Sequence, residues 1–542
     1  MHGLMMDDQL TITSLMKHAK SIYGDSTIVS ITHDHDRFRY TFAECFDRVA
    51  QLANALQKLG VVDGDMVATM AWNDHRHMEI YYAASCSGAI CHTVNPRLFP
   101  EQLTYIINHA EDKWIFVDPM FVPLLESLAD QIADVAGFVV LCGKETMPDT
   151  RLPNVLCYEE LIADESVEYD WPELNENSAC SLCYTSGTTG NPKGVLYSHR
   201  ALVLQCYASC LGGSMALTNR DTVLPIVPMF HVNAWNIPYS AALAGFNLVF
   251  PGSKMADGET LQALIEQEKV KFSAGVPTVW LSLLTYLRET GKKIESLEAV
   301  VVGGSACPLS IMEEFENEHG VYSHVGWGMT EMSPLGTYNV LKRPRDQYTD
   351  EEFSVLRLKA GRPVFGVQLK IVDEQNNELP WDGVAFGALL VRGPWVVKNY
   401  FKKNKQLLDE DGWFDTGDVA TIDPDGNMAI TDRTKDVIKS GGEWISSIDL
   451  ENCAMGHEEV LEAGVIGIAH PKWDERPLLV VVRTPGSTVT GDQIIEYMTG
   501  KVAKWWMPNE VVFVEELPHT ATGKIHKVGL REQFADFSFS DA

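Results

Sequence analysis

The chain has 542 residues, enough for roughly three to four domain-sized units and several buried cores. Its 45% hydrophobic and 22% charged residues exclude disordered, collagen-like and coiled-coil classes. The 43 basic against 74 acidic residues give a formal charge of −31, which excludes a nucleic-acid or acidic-membrane binder working through its bulk field. An anionic ligand must therefore be held by local cations and backbone N–H groups.

Residues 1–17 carry Asp7 and Asp8 and lack a basic stretch followed by an apolar core, so no secretion signal is expected. No stretch approaches the ~20 apolar residues of a membrane span. The clusters His33-Asp34-His35 and His75/His77 are short and unpartnered, and read as surface. Thr41 and Glu44 have capping-box spacing. Apolar residues follow at Cys45, Val49, Leu52, Leu56 and Leu59, and Gly60 supplies a stop, which predicts an amphipathic helix. The 11 cysteines are odd in number and lack framework spacing, as expected of reduced thiols in the cytoplasm. Cys180 and Cys183 have no second pair and read as buried strand residues rather than zinc ligands. The apolar runs 247–250 and 299–302 end in Pro251-Gly252 and Gly303-Gly304, as buried strands opening into ligand-binding loops would. Beyond the charged stretch 432–436, strands are expected at 465–469, 478–482 and 511–514, with a helical segment around 494–498. Helical and extended patterns alternate throughout, which predicts a layered α/β fold with a small C-terminal unit.

The strongest local signal is Tyr184-Thr185-Ser186-Gly187-Thr188-Thr189-Gly190-Asn191-Pro192-Lys193-Gly194. Its glycines allow tight turns and close backbone approach. The hydroxyls and backbone N–H groups can surround phosphate oxygens, and Lys193 adds a point charge. It is not a Walker A loop, because no Gly-Lys-Ser/Thr follows the required spacing.

This loop resembles the phosphate-binding signature of the adenylate-forming superfamily of acyl-CoA synthetases, luciferase-type enzymes and peptide adenylation domains. Further signatures of that superfamily follow in order. They are Gly303-Gly304-Ser305, Trp327-Gly328-Met329-Thr330-Glu331, Trp413-Phe414-Asp415-Thr416-Gly417-Asp418, Asp432-Arg433-Thr434-Lys435-Asp436, Ser440-Gly441-Gly442-Glu443 and Thr522-Gly523-Lys524. The resemblance implies a large multi-subdomain N-terminal domain over 1–434 with layered α/β sheets. A small mobile C-terminal α+β domain over 435–542 would hinge at Lys435.

The implied reaction is an acid–thiol ligation with ATP, Mg²⁺ and CoA. A carboxylate forms an acyl-adenylate, and a thiol then displaces AMP. Thr185, Ser186, Gly187, Thr188, Thr189, Gly190 and Lys193 would hold the β- and γ-phosphates, Thr330 another phosphate oxygen, and Glu331 the Mg²⁺. Asp418 and Arg433 would hold the ribose. Trp327, Gly328 and Met329 would flank adenine, with Gly304 and Ser305 opposite. Lys524 would bridge the reacting carboxylate and the α-phosphate. Rotation at Lys435 would then present Lys439, Gly441, Gly442 and Glu443 to the pantetheine arm.

Phe230-His231-Val232-Asn233-Ala234-Trp235 matches the family segment that borders the carboxylate, with His231 beside it. Peptide adenylation domains carry Asp at the His231 position, so an α-amino acid is not expected. Trp235, Gly303, Met332 and Pro334 are expected to line the acyl pocket, and the bulk of Trp235 predicts a short or medium chain. Within the superfamily the chain is similar to medium-chain acyl-CoA ligases and to 3-methylmercaptopropionate–CoA ligases. The alternatives are a medium-chain fatty acid–CoA ligase, an acid-adenylating oxygenase, and a non-catalytic nucleotide-binding scaffold, against which the intact Lys193, Glu331, Asp418, Arg433 and Lys524 argue. The expected partners are a small carboxylic acid, ATP and CoA, with no nucleic acid; homodimerisation is left open.

Overall fold

In the computed structural model, Thr41 caps the helix Phe42–Lys58 in the expected way. Its hydroxyl accepts from the Glu44 N–H, and Glu44 returns a carboxylate to the Thr41 N–H. Gly60 ends the segment with φ +77°. The described residues are 1, 3–185, 191–305, 307–440, 443–519 and 525–539, with only the backbone of 443 and 444.

Two large sheets form the N-terminal domain. One runs in the order Val155–Cys157, Gly137–Val140, Asp112–Val117, Met66–Met70, Ile90–Thr93, Ala179–Tyr184, Gly194–Ser198, parallel except for the last pair. The other has a parallel centre, from Tyr322–Gly328 through Ala299–Val302, Phe272–Gly275, Thr222–Pro225 and Asn247–Phe250 to Thr27–Ser30. Antiparallel strands close both of its edges. A smaller antiparallel sheet follows, Gln368–Val372, Phe386–Arg392, Phe414–Ile422 and Met428–Arg433. The small C-terminal domain is built on the hairpin Val460–His470 and Asp474–Arg483, joined by Glu510–Phe513 and the helix Gly491–Met498. The mixed α/β architecture, with one large and one small domain, is the one expected.

The reading of His75 and His77 as surface residues is corrected. The helix His75–Cys86 is buried on every face, packed between the two large sheets and against Phe42–Lys58. A helix covered on all sides has no apolar stripe to mark it. His77 bonds the Trp72 carbonyl and the Thr69 hydroxyl, and burial pushes its imidazole down to about 4. Asp34 likewise carries an internal ion pair rather than facing water. Its carboxylate meets the Arg76 guanidinium at 2.9 Å, and Arg76 also reaches Glu159 at 2.7 Å. Partial burial acts to raise the Asp34 carboxyl, but the hydrogen bonds and charge of Arg76 outweigh it and hold it well below the carboxylate range. Its share of the stability is therefore full above pH ~4 and drains as the pH falls. Arg76→Ala leaves the buried Asp34 carboxylate without its cation, while Glu159 keeps Arg48, and should lower unfolding stability by about 3–5 kcal/mol, read as a lower urea midpoint at unchanged slope.

All 11 cysteines are free thiols, with Cys180 and Cys183 buried in a strand as expected. Among the described residues no helix is long and apolar enough to cross a membrane.

Candidate active site

The loops that carry the signature residues leave the C-terminal ends of parallel strands, where the sheet edge opens. Thr185 follows Ala179–Tyr184, Gly303 follows Ala299–Val302, and Trp327 and Gly328 end Tyr322–Gly328. They meet at a cavity of about 1730 Å³ between the two domains. Its wall includes Thr185 and Lys193, Gly304 and Ser305, Trp327 through Glu331, Asp418 and Arg433, and His231 and Trp235. Residues expected from separate parts of the chain thus face one space. Ser186 through Gly190, Gly441, Gly442 and Lys524 lie outside the described residues, as does the Glu443 side chain.

The Trp327 Nε1–H donates to Asp418 Oδ2 at 2.9 Å. Arg433 Nε lies 2.7 Å from Asp418 Oδ1. Asp418 is 3% exposed, so a buried carboxylate is oriented from two directions while it still borders the cavity. The Trp327 ring lies on Gly336, where an added Cβ would stand 2.5 Å from Cζ3. Glycine there lets the indole lie flat enough to reach Asp418.

At the phosphate end, the Thr185 and Lys193 backbones bond each other, Thr185 N–H to the Lys193 carbonyl at 2.9 Å. The Tyr197 hydroxyl donates to the Thr330 carbonyl at 2.7 Å, tying this hairpin to the 330–331 turn. Tyr400, which the sequence reading missed, joins both. Its hydroxyl donates to Glu331 Oε1 at 2.7 Å, and the Lys193 ammonium sits 4.9 Å from its ring centroid. Among the described residues no group of three or more His, Cys, Asp or Glu could cage a metal. One carboxylate is nevertheless enough protein donor for Mg²⁺ where nucleotide phosphates and waters supply the other ligands. Glu331, with Oε2 facing no hydrogen-bond donor among the described residues, fits that need.

The acyl side has an unusual backbone. Val232, Asn233, Ala234, Trp235 and Asn236 all have φ between +47° and +60°. A left-handed turn of non-glycine residues costs about 1–2 kcal/mol per residue and needs outside support. Asn233 exchanges hydrogen bonds with Ser181, and Asn236 donates to Gln205 and to the Ser333 carbonyl. The turn lays the Trp235 indole over Gly303, whose added Cβ would meet Cη2 at 2.8 Å. Trp235 and Pro334 border the cavity, with Gln205 and Met215 on the same wall. Gly303 lies beneath the indole. Met332 is fully buried and does not reach the cavity, its Cε packing at Gly336 instead.

In the small domain, His519 and Ile525 pair with each other and border the cavity. Lys435 borders it too, and burial lowers its ammonium below the usual lysine range. Lys439 points elsewhere, to Glu374 at 3.4 Å.

Residues 17–401 match the family described as AMP-binding enzyme, and 449–524 match its C-terminal domain. The 3-methylmercaptopropionyl-CoA ligase of Ruegeria lacuscaerulensis is 49% identical over 536 residues, 99% of each chain. The medium-chain-fatty-acid–CoA ligase of Ectopseudomonas oleovorans is 49% identical over 537 residues, 99% of this chain and 98% of that one. The crystal structure of the anthranilate CoA ligase AuaEII with anthranoyl-AMP shares the fold, with a TM-score of 0.86, 24% identity and coverage of 96% of this chain and 97% of that one. Matched over most of its length and nearly half identical end to end to named ligases, this chain belongs to the AMP-binding enzyme family, among its acyl-CoA ligases.

Proposed function

We propose that this ligase converts a short- to medium-chain carboxylic acid, with 3-methylmercaptopropionate the leading candidate, into its CoA thioester. The observation that carries the reading is the convergence of phosphate, ribose and acyl elements on one cavity that the small domain closes. The acid itself is proposed from the relatives' names and from the bulk of Trp235 over Gly303.

ATP, Mg²⁺ and CoA are the reactants of this class. In the first step a carboxylate oxygen attacks the α-phosphorus, the bond to the β-phosphate bridge breaks, and pyrophosphate leaves. Thr185 and Lys193 hold the terminal phosphates and Thr330 a further oxygen. Asp418 and Arg433 hold the ribose, and Trp327, Gly304 and Ser305 enclose the base. His231 borders the acid's carboxylate. Mg²⁺ at Glu331 supplies charge neutralisation. Lys524 stabilises charge building between acid and α-phosphate. In the second step the CoA sulfur attacks the acyl carbon and AMP leaves with the bonding pair.

The two steps are assigned to two faces of the small domain, 435–542, turning about Lys435 relative to 1–434. Support comes from the tight turn there, in which the Asp436 and Val437 N–H groups both donate to the Arg433 carbonyl. His519 and Ile525 border the cavity while Lys439 faces away, which favours the adenylation orientation. In the thiol step Lys439 and Glu443 would face the cavity, with Gly441 and Gly442 leaving room for pantetheine. Eleven unpaired thiols support a cytoplasmic location.

The test is AMP release with ATP, Mg²⁺, CoA and acids from acetate to dodecanoate, plus 3-methylmercaptopropionate. An optimum among the short and medium acids is expected, and an optimum at dodecanoate rejects the assignment. Release that needs CoA and proceeds without oxygen separates ligase from oxygenase. Trp235→Ala should shift the kcat/KM ratio of dodecanoate to butyrate upward by about 10- to 100-fold, because the indole no longer fills the pocket. An unchanged ratio removes Trp235 from the pocket wall.

A further inference from the structure

The strap at 396–401 brings Tyr400 to the cavity and bonds to both the 330–331 turn and the hairpin that carries Lys193. The Val397 N–H donates to the Glu331 carbonyl at 2.8 Å, and the Phe401 N–H donates to the Gly194 carbonyl at 2.8 Å. Phe401 also covers Gly194, where an added Cβ would stand 3.1 Å from its own Cβ. These backbone links fix the strap without help from the Tyr400 side chain. The Tyr400 ring nevertheless turns into the cavity, between the two charged side chains that the first half-reaction needs.

We propose that Tyr400 is a positioning residue for adenylation, holding the Glu331 carboxylate with its hydroxyl and the Lys193 ammonium with its ring face. The role rests on the acid-adenylating reading above. One donor at Oε1 fixes the rotation of the Glu331 carboxylate and leaves Oε2 for the metal. Without it the carboxylate is free to swing toward Lys193, cancelling the charge meant for the phosphates. The ring prevents that collapse: it stands between anion and cation, attracting the cation to its face while its edge substituent donates to the anion. A tyrosine serving only as packing would not need a hydroxyl on the cavity side, and phenylalanine would replace it without effect.

The test compares Tyr400→Phe, Tyr400→Ala and the parent protein. Tyr400→Phe keeps the ring and removes the hydroxyl. It should weaken binding of Mn²⁺ to the protein saturated with a non-hydrolysable ATP analogue by about tenfold or more, measured by electron paramagnetic resonance. The free Mg²⁺ needed for half-maximal pyrophosphate exchange should rise in parallel, with the exchange rate largely recovered at high Mg²⁺. Thioester formation from supplied acyl-adenylate and CoA should be unchanged. Tyr400→Ala should add a rise in the KM for ATP, because Lys193 loses its ring. Unchanged Mn²⁺ affinity in Tyr400→Phe, or equal loss of both half-reactions, overturns the proposal. A parent protein that exchanges no pyrophosphate with any acid overturns the functional reading instead, so the two failures are distinguishable.

Discussion

Lys524→Ala should lower pyrophosphate exchange by about 10²–10³-fold or more while leaving thioester formation from a supplied acyl-adenylate close to the parent rate. The reason is an electrostatic shortage at one point of the cavity. An acid anion must approach a polyanionic nucleotide inside a chain whose formal charge is −31. Several of the described cations on the wall are already engaged. Arg433 pairs with Asp418, Lys359 with Asp423 and Lys527 with Glu451, and Lys193 sits over Tyr400 at the phosphate end. Lys524 adjoins Ile525 in sequence, and His519 and Ile525 border the cavity, so its ammonium is the candidate for that role. The thiol step starts from an adenylate whose carboxylate charge is already gone and has no such need. Equal loss of both half-reactions would refute the assignment of separate faces to separate steps.

The parts of this site that were legible in the sequence share a physical cause. Where a strand ends and the chain must turn beside a ligand, glycines and hydroxyls crowd into a short stretch, as between Thr185 and Gly194 or at Gly303-Gly304-Ser305. Such local demands leave local patterns. Tyr400 left none, because its partner Glu331 is 69 positions away and its own neighbours are Asn399 and Phe401. The Asp34–Arg76 pair was hidden for the same reason, spanning 42 positions. His75 and His77 were misread because a helix enclosed on every side shows no 3.6-residue period. The left-handed turn 232–236 contains no glycine to announce it and is held instead by amides that bond Ser181, Gln205 and Ser333. That turn sets the position of Trp235. Met332 was expected beside the acyl group, yet the short helical turn Thr330–Met332 carries it into the core.

Asp418→Ala should raise the KM for ATP by about 100-fold, with little change in the KM for the acid. The Asp418 carboxylate accepts from Trp327 on one oxygen and pairs with Arg433 on the other, and these two partners orient it where it borders the cavity. Two ribose hydroxyls are suitable donors, and a buried, preoriented anion binds them without paying for its own reorganisation. Removing it also frees the Trp327 indole from its only described acceptor and leaves Arg433 beside the ribose unpaired. A structural contribution would therefore follow as well, and the two are separable with altered nucleotides. The parent protein should discriminate against 2′-deoxy- and 3′-deoxy-ATP by roughly tenfold each, the worth of one hydrogen bond to a charged group. In Asp418→Ala that discrimination should vanish, whereas a merely loosened site would weaken all three nucleotides by a common factor and keep their ratios. Preserved ratios in the variant would assign Asp418 to holding Trp327 and Arg433 in place, and would require another acceptor for the sugar.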